Sequence, residues 1–445
     1  MAETGAAADI EIIPTRGLTG GQRVKAIMGG SAGNLVEWYD WFAYTGFSIY
    51  FASQFFPSGD NTAQLLKAAL LNVVSFGARP IGAWAMGYFA DRYGRRTALV
   101  VSVLMMCLGA LIIACAPTYA QIGAIAPFVL VGARILQGLS VGGQYGAAAT
   151  YMSEMASKGR RGFWSSFQYV TLIAGQLLAL MVLIVLRSFM SKQELTDGGW
   201  RIAFFIGAGL AVLVFFVQWS LEESHSYKNA KAAGEVQGGA FSNLALLFTK
   251  YWKETAIIMG LTAAGTSGFY AYTTYMLKFL QNTAHFTDKV ASNINFFVLV
   301  AFMLAQPLIG WISDKIGRKP LLMMAFGGGA LLTWPVMTTV AAATSPVAVF
   351  FILMGAMLVQ AGYTAINAVV KAELYPSQVR TLGVALPYAL ANATFGGTAE
   401  YVALWFKSIG MESSFYIYAS VIMALGFLVV LFMPDTRRHS RILED

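Results

Sequence analysis

Two carboxylates, Glu37 and Asp40, stand three residues apart in Asn34-Leu35-Val36-Glu37-Trp38-Tyr39-Asp40, near the middle of a long apolar run. On a helix that spacing puts both on one face. A carboxyl group held in such surroundings has its pKa raised and can carry a proton near neutral pH. Arg79 and Arg134 lie near the centres of two other apolar runs, while Lys371 and Glu400 lie nearer the ends of theirs. A charge at mid-bilayer costs about 2.5–3.5 kcal/mol on insertion scales, so each needs a partner or an aqueous hollow. Arginine grips carboxylates bidentately, and two fixed cations on one hollow suit an anion with two carboxylates. This makes Glu37, Asp40 and Glu400 the proton-carrier candidates. Arg79, Arg134 and Lys371 are the anion-binding candidates, with Gln137, Gln168, Tyr272 and Tyr275 as further polar groups. Fixed structural ion pairs are the competing reading of these charges, interface anchoring that of the tyrosines, and helix–helix hydrogen bonding that of the glutamines.

The elements that must carry these groups are transmembrane helices. Of 445 residues, 57% are hydrophobic and 12% charged, and mean hydropathy is +0.61. Soluble domains carry about 25% charged residues. This chain cannot cover a water-facing surface, which excludes a soluble globule, a disordered chain and a nucleic-acid-binding module. Twelve segments satisfy the length of a membrane crossing: 25–53, 64–90, 97–116, 121–153, 163–190, 200–221, 252–281, 289–313, 320–342, 346–373, 381–406 and 412–433. The expected organisation is a tail (1–24), a six-helix lobe (25–221), a polar linker (222–251), a second six-helix lobe (252–433) and a second tail (434–445). With the N-terminus in the cytoplasm, twenty of the thirty Lys and Arg fall on the cytoplasmic side. The positive-inside bias therefore predicts cytoplasmic termini.

An internal repeat relates the lobes. Gly87-Tyr88-Phe89-Ala90-Asp91-Arg92-Tyr93-Gly94-Arg95-Arg96 follows the second span, and Gly310-Trp311-Ile312-Ser313-Asp314-Lys315-Ile316-Gly317-Arg318-Lys319 follows the eighth. A second pair, Glu154 to Arg161 and Glu373 to Arg380, closes the fourth and tenth spans. Parallel six-helix repeats are a transporter architecture. The repeated charges, Asp91, Arg92, Arg95, Glu154, Arg161, Asp314, Arg318, Glu373 and Arg380, with Gly87 and Gly94, are expected to form a cytoplasmic latch that breaks when the inner gate opens. Cys107 and Cys115 support neither a disulfide framework nor a metal site. No nucleotide loop is present, and His225, His285 and His439 are too scattered for hydrolytic or metal chemistry. An enzyme is not indicated.

These residues resemble the major facilitator superfamily and, within it, the metabolite:proton symporters, most closely the bacterial 2-oxoglutarate permeases. The similarity runs over almost the whole chain and includes Gly33-Asn34-Leu35-Val36-Glu37-Trp38, Arg79-Pro80-Ile81-Gly82, Thr273-Thr274-Tyr275-Met276, Gln306-Pro307-Leu308-Ile309-Gly310 and Ala399-Glu400-Tyr401-Val402-Ala403-Leu404. The resemblance implies an all-α, two-lobed, twelve-helix protein of the cell inner membrane. Its expected partners are a small organic anion, protons and lipids, as a monomer, with H+ as driving ion and no cofactor. It also implies that Arg79, Asp91 and Arg95 matter for transport. In one departure, Gln144 stands where the family usually has Glu, and glutamine cannot release a proton. Another organic acid (an aromatic acid, shikimate, citrate or a ring-cleavage dicarboxylate) and a transporter-like membrane sensor are the alternative functions.

Overall fold

The computed structural model describes residues 19–57, 61–233 and 240–442. Among them there are helices and turns and no strand. Six spans form the first lobe: Gly20–Phe55, Asn61–Tyr93, Arg95–Cys115, Ile125–Met155, Arg161–Phe189 and Arg201–Trp219. The second lobe begins with Trp252–Tyr270, which continues through a wide turn, Ala271–Tyr275, into Met276–Asn282. Asp288–Ile316, Arg318–Ala341 and Pro346–Glu373 follow. The eleventh span is Arg380–Ala391, a wide turn at Asn392–Gly396, and Ala399–Ser408; the twelfth is Glu412–Phe432. An even number of crossings brings both ends of the chain to one face, called here the terminal face.

Eight of these spans are long and apolar enough to cross a bilayer on length and composition alone. The remaining four are those that carry Glu37, Asp40 and Arg79 or are broken by a wide turn. Low hydropathy and interrupted helix thus coincide with the groups the sequence marks for chemistry. The polar stretch after the sixth span folds as two short helices, His225–Ala232 and Ala240–Thr249.

The repeated glycines have a backbone reason. Gly94 (φ 110°) and Gly317 (φ 101°) are the single residues between spans two and three and between spans eight and nine. Only glycine enters that region without strain, so each makes a one-residue hairpin between helices. Within the first lobe, spans two and four touch along their backbones. A Cβ on Gly142 would lie 2.1 Å from the Arg79 carbonyl oxygen, and one on Gly82 would lie 2.2 Å from that of Leu139. The Gly138–Gly143 stretch therefore sets the depth and rotation of Arg79.

The lobes meet reciprocally: span two lies against span eleven, and span five against span eight. Within each lobe spans one and seven stand at corresponding positions, and their aromatic side chains meet at the centre, where Trp38 packs against Phe269 and Tyr270.

Replacing Gly142 with Val is expected to push spans two and four apart and destabilise the protein by about 1–3 kcal/mol, the usual cost of overpacking. A thermal unfolding midpoint in detergent checks this; an unchanged midpoint would mean the helices have room that the backbone contact denies.

Candidate functional site

Charges cluster in three places, and the clusters do different work. The first is the terminal face. Asp91 accepts hydrogen bonds from the backbone N–H of Thr381 (3.1 Å) and Leu382 (3.0 Å), in the first turn of span eleven. Asp314 does the same for Gly162 (2.8 Å) and Phe163 (2.9 Å) in the first turn of span five. Each lobe thus places an aspartate on a helix start of the other, where unsatisfied N–H groups and the helix dipole favour an anion. Arg95 stands 3.4 Å from both Asp91 and Glu154, and Arg318 lies 2.8 Å from Asp314 and 3.5 Å from Glu373. Glu154 crosses the interface to Arg380 at 2.5 Å. Gly87 lets span two reach the backbone of Leu382; a Cβ there would lie 2.9 Å from the Leu382 Cα.

Arg161 donates to the Ile442 carbonyl at 3.3 Å. Arg92 is the exception among the expected latch residues. It is exposed and donates to the Tyr88 hydroxyl (2.8 Å), so it points away from the lattice.

Sequence reasoning passed over two members of this lattice. Glu223 accepts from the backbone N–H of Arg95 (3.0 Å) and Arg96 (3.1 Å), and Asp435 accepts from that of Arg318 (3.2 Å). Beside them Ser224 donates to Glu154 (2.5 Å) and Thr436 to Glu373 (2.6 Å). The signal was present: Glu223-Ser224 and Asp435-Thr436 follow spans six and twelve at one offset, 212 residues. Burial pushes the Glu223 carboxyl above its usual range, against the N–H groups of Ser224 and Arg96 that favour its charge.

The second cluster lies inside the first lobe and holds three of the expected site residues, Arg134, Asp40 and Gln137. Arg134 is 1% exposed and pairs with Asp40 at 3.4 Å. It also donates to Gln137 (2.8 Å) and Asn72 (2.6 Å), and its guanidinium lies 4.2 Å from the centre of the Tyr44 ring. Its contacts are therefore within the first lobe rather than across the lobe interface. Gln137 and Asp40 meet in the same contacts, with Asp40 Oδ1 and Gln137 Nε2 buried and unpartnered among the described residues. Tyr272 and Tyr275 are also turned away from the lobe interface. Tyr272 donates to Thr333 (3.2 Å) and Tyr275 to Glu412 (2.5 Å), both within the second lobe.

The third cluster lies between the lobes. Arg79 stacks on the Phe76 ring (3.8 Å to its centre) and faces Glu37 and Tyr270. Tyr270 turns its hydroxyl toward Arg79 and Asn392 without completing a hydrogen bond to either. One Glu37 carboxylate oxygen, the Arg79 Nε and the Asn392 amide nitrogen are buried and unpartnered among the described residues. Two wide turns place this group: Tyr270 is the last residue before one, and Asn392 opens the other. Such turns recur at functional positions because they free local backbone groups.

Lys371 enters the same region from the second lobe, on the segment Asn367–Glu373 that restarts span ten after a break. It is 0% exposed, and its Nζ donates to the Tyr145 hydroxyl (3.0 Å) and to the side-chain amide oxygen Oδ1 of Asn367 (3.1 Å). Tyr145 from the first lobe stacks on Tyr388 from the second, with ring centres 3.6 Å apart at 12°. Lys371 lies 4.3 Å above the Tyr388 ring, and Arg79 acts on the same tyrosine from the other lobe. Neither Arg79 nor Lys371 has a carboxylate within ion-pair distance among the described residues.

A cavity of about 10 Å³, lined by Trp38, Tyr169, Tyr270, Tyr388 and Asn392 among others, marks the centre. That is room for no more than one water. The centre is closed, and the lattice seals the terminal face below it. Gln168 is buried nearby, its side-chain amide without a hydrogen bond among the described residues, while Asn34 donates to its backbone carbonyl (2.6 Å). Gln144 lies against Gly33, one helical turn from Glu37 on span one. Glu400 belongs to the helix Ala399–Ser408, but its side chain lies outside the described residues.

This two-lobed fold with reciprocal contacts across its terminal face defines a membrane transporter class, and the comparisons agree. The chain matches the Major Facilitator Superfamily over residues 33–371 and 285–444, and it belongs to that superfamily. It is 48% identical over 424 residues to the alpha-ketoglutarate permease of Escherichia coli K12, covering 95% of this chain and 96% of that protein. It is 30% identical to the citrate-proton symporter of Salmonella typhi, covering 93% and 95%. In fold it matches the solved proton:xylose symporter XylE bound to 6-bromo-6-deoxy-D-glucose, with a TM-score of 0.80 at 18% identity over 95% of this chain and 98% of that one. It is a multi-pass membrane protein.

The Asp40–Arg134 assignment has a direct check. Arg134→Met leaves a charged, buried Asp40 and is expected to cost about 3–5 kcal/mol, whereas adding Asp40→Leu should restore most of that loss. Thermal midpoints of the single and double variants decide it, and a double variant no better than the single would return Arg134 to the anion-binding set.

Proposed function

We propose that this chain is a proton-coupled symporter that imports a small organic dicarboxylate, 2-oxoglutarate first among them, across the cell inner membrane by alternating access. The observation that carries the reading is the pair of buried cations, Arg79 and Lys371. They come from opposite lobes, Lys371 lying 4.3 Å from the centre of the Tyr388 ring, and neither has a carboxylate within ion-pair distance among the described residues. A dianion held between them would bridge the lobes, its second carboxylate replacing the neutral partners of Lys371. The 48% identity to a permease named for alpha-ketoglutarate supports the same substrate.

Coupling follows from competition for Arg79. In low dielectric this guanidinium needs an anion, and two are on offer: the Glu37 carboxylate or the substrate. Protonation of Glu37 releases Arg79 to the incoming carboxylate. Departure of the substrate returns Arg79 to Glu37, which then gives up its proton. Gln144 cannot take part, so Glu37 carries this role by itself. The terminal face is cytoplasmic in this scheme, consistent with its concentration of Lys and Arg. Its interlobe lattice forms the inner gate, and Asp91, Arg95, Glu154, Asp314, Arg318, Glu373 and Arg380 separate as the lobes rock. One chain suffices, with no cofactor.

In proteoliposomes, an inward proton gradient should accumulate labelled 2-oxoglutarate above equilibrium. Arg79→Gln and Lys371→Gln should each weaken substrate binding by at least about thirtyfold, the usual cost of removing one partner of a buried charge pair. Uptake indifferent to the gradient would leave a facilitator. Stronger competition by citrate, shikimate or an aromatic acid would reassign the substrate.

A separate variant isolates coupling. Glu37→Gln should abolish gradient-driven accumulation while preserving exchange of internal for external substrate; loss of both, or of neither, removes Glu37 from the proton path.

A further inference from the structure

Residues 433–442 fold back across the terminal face. Thr436 is anchored to Glu373, and the Arg437 guanidinium donates to the Lys315 carbonyl (2.6 Å). The Arg441 backbone N–H donates to the Glu373 carbonyl (2.9 Å), and its side chain reaches Glu254 at 2.8 Å. The last carbonyls of the segment are held from both lobes: Arg380 donates to that of Arg441 (2.9 Å), and Arg161 to that of Ile442 (3.3 Å). Arg161 also reaches the Ser440 hydroxyl (3.5 Å).

The consequence is the placement of Ile442. It is 4% exposed and sits in one apolar cluster with Tyr145 and Ala149 of span four, Ala368 and Ala372 of span ten, and Val384 of span eleven. Tyr388 packs on the same cluster. Ile442 therefore underlies the Tyr145–Tyr388 stack that floors the Lys371 site, wedged among helices of both lobes. A path from Lys371 to the terminal face passes that stack and then this side chain.

We infer that residues 436–442 are a strap that closes the inner mouth, with Ile442 as its plug, and that the strap leaves its seat whenever the central site opens to the terminal face. The inference rests on the alternating-access reading above, but it concerns the gate rather than the substrate. Arg161 and Arg380 give the strap its logic. Each comes from a different lobe, so the two carbonyls can be held together only while the lobes are closed on this side. Separation of the lobes costs the strap one anchor, and the loss of Ile442 from its seat opens the floor.

The test reads accessibility and needs no substrate, so its failure is distinguishable from a wrong substrate assignment. In a Cys107→Ser, Cys115→Ser background, Ala149→Cys places a single buried thiol in the apolar seat that the plug fills. Inside-out vesicles are treated with a membrane-impermeant maleimide from the terminal face. Ile442→Asp should raise the labelling rate roughly tenfold or more, since burial of one aliphatic side chain biases an equilibrium by that order. Ile442→Leu should leave it within about twofold, as the seat stays filled. Should Ile442→Asp fail to fold, Ile442→Gly empties the seat without adding charge and carries the same expectation. A labelling rate equal in the filled and emptied variants overturns the strap, as does a rise of equal size in Ile442→Leu.

Discussion

A charge carried into the low dielectric of a membrane protein must be answered by another charge or by dipoles, and most of this architecture follows from where the answers come. At the terminal face they come from the opposite lobe. Asp91 and Asp314 each sit on the first turn of a helix belonging to the other half. Arg95 and Arg318 stand behind them, and Glu154 reaches across to Arg380. Such a lattice ties the two lobes together on this face, and in the proposed alternating access its members separate as the lobes rock. It therefore behaves as a bistable contact rather than a graded one.

At the centre the answers are incomplete. The Asp40–Arg134 pair lies within one lobe, with Asp40 Oδ1 and Arg134 Nε still unpartnered among the described residues. Among the described residues Arg79 and Lys371, one from each lobe, have no carboxylate within ion-pair distance. The second lobe makes room for this by breaking its helices: the wide turns beside Tyr270 and at Asn392, and the restart of span ten at Asn367. The first lobe contributes rigidity instead, through the glycine-to-backbone contact that sets Arg79 against span four. One lobe thus offers a fixed guanidinium, and the other an ammonium held by neutral oxygens. A dianion can complete both.

The twelve-helix plan was legible because hydropathy alone marks the spans and the repeated loop sequence marks the symmetry. The same repeat made Asp91, Arg95, Asp314 and Arg318 visible as a set. Arg92 misled because its loop position matches theirs while its helical rotation turns it outward. Arg134 and Arg79 look alike in sequence, each an arginine midway along an apolar run, and only the rotation of spans two and four gives one an ion-pair partner and leaves the other without one among the described residues. Tyr270, Tyr272 and Tyr275 differ for the same reason, compounded by the wide turn that breaks the regular 3.6-residue phase between them. Tyr388 and the seat of Ile442 carried no signal at all, because both depend on contacts between lobes distant in sequence.

The central claim is that Arg79 and Lys371 together form one seat for a dianion spanning the lobes. An experimental structure with 2-oxoglutarate bound tests it most directly. One carboxylate should lie within hydrogen-bond distance of the Arg79 guanidinium and the other within that distance of Lys371 Nζ, with the Tyr145 hydroxyl displaced from the lysine. A substrate held by one lobe alone, or lodged against Arg134 with Lys371 still on Tyr145 and Asn367, would contradict the account.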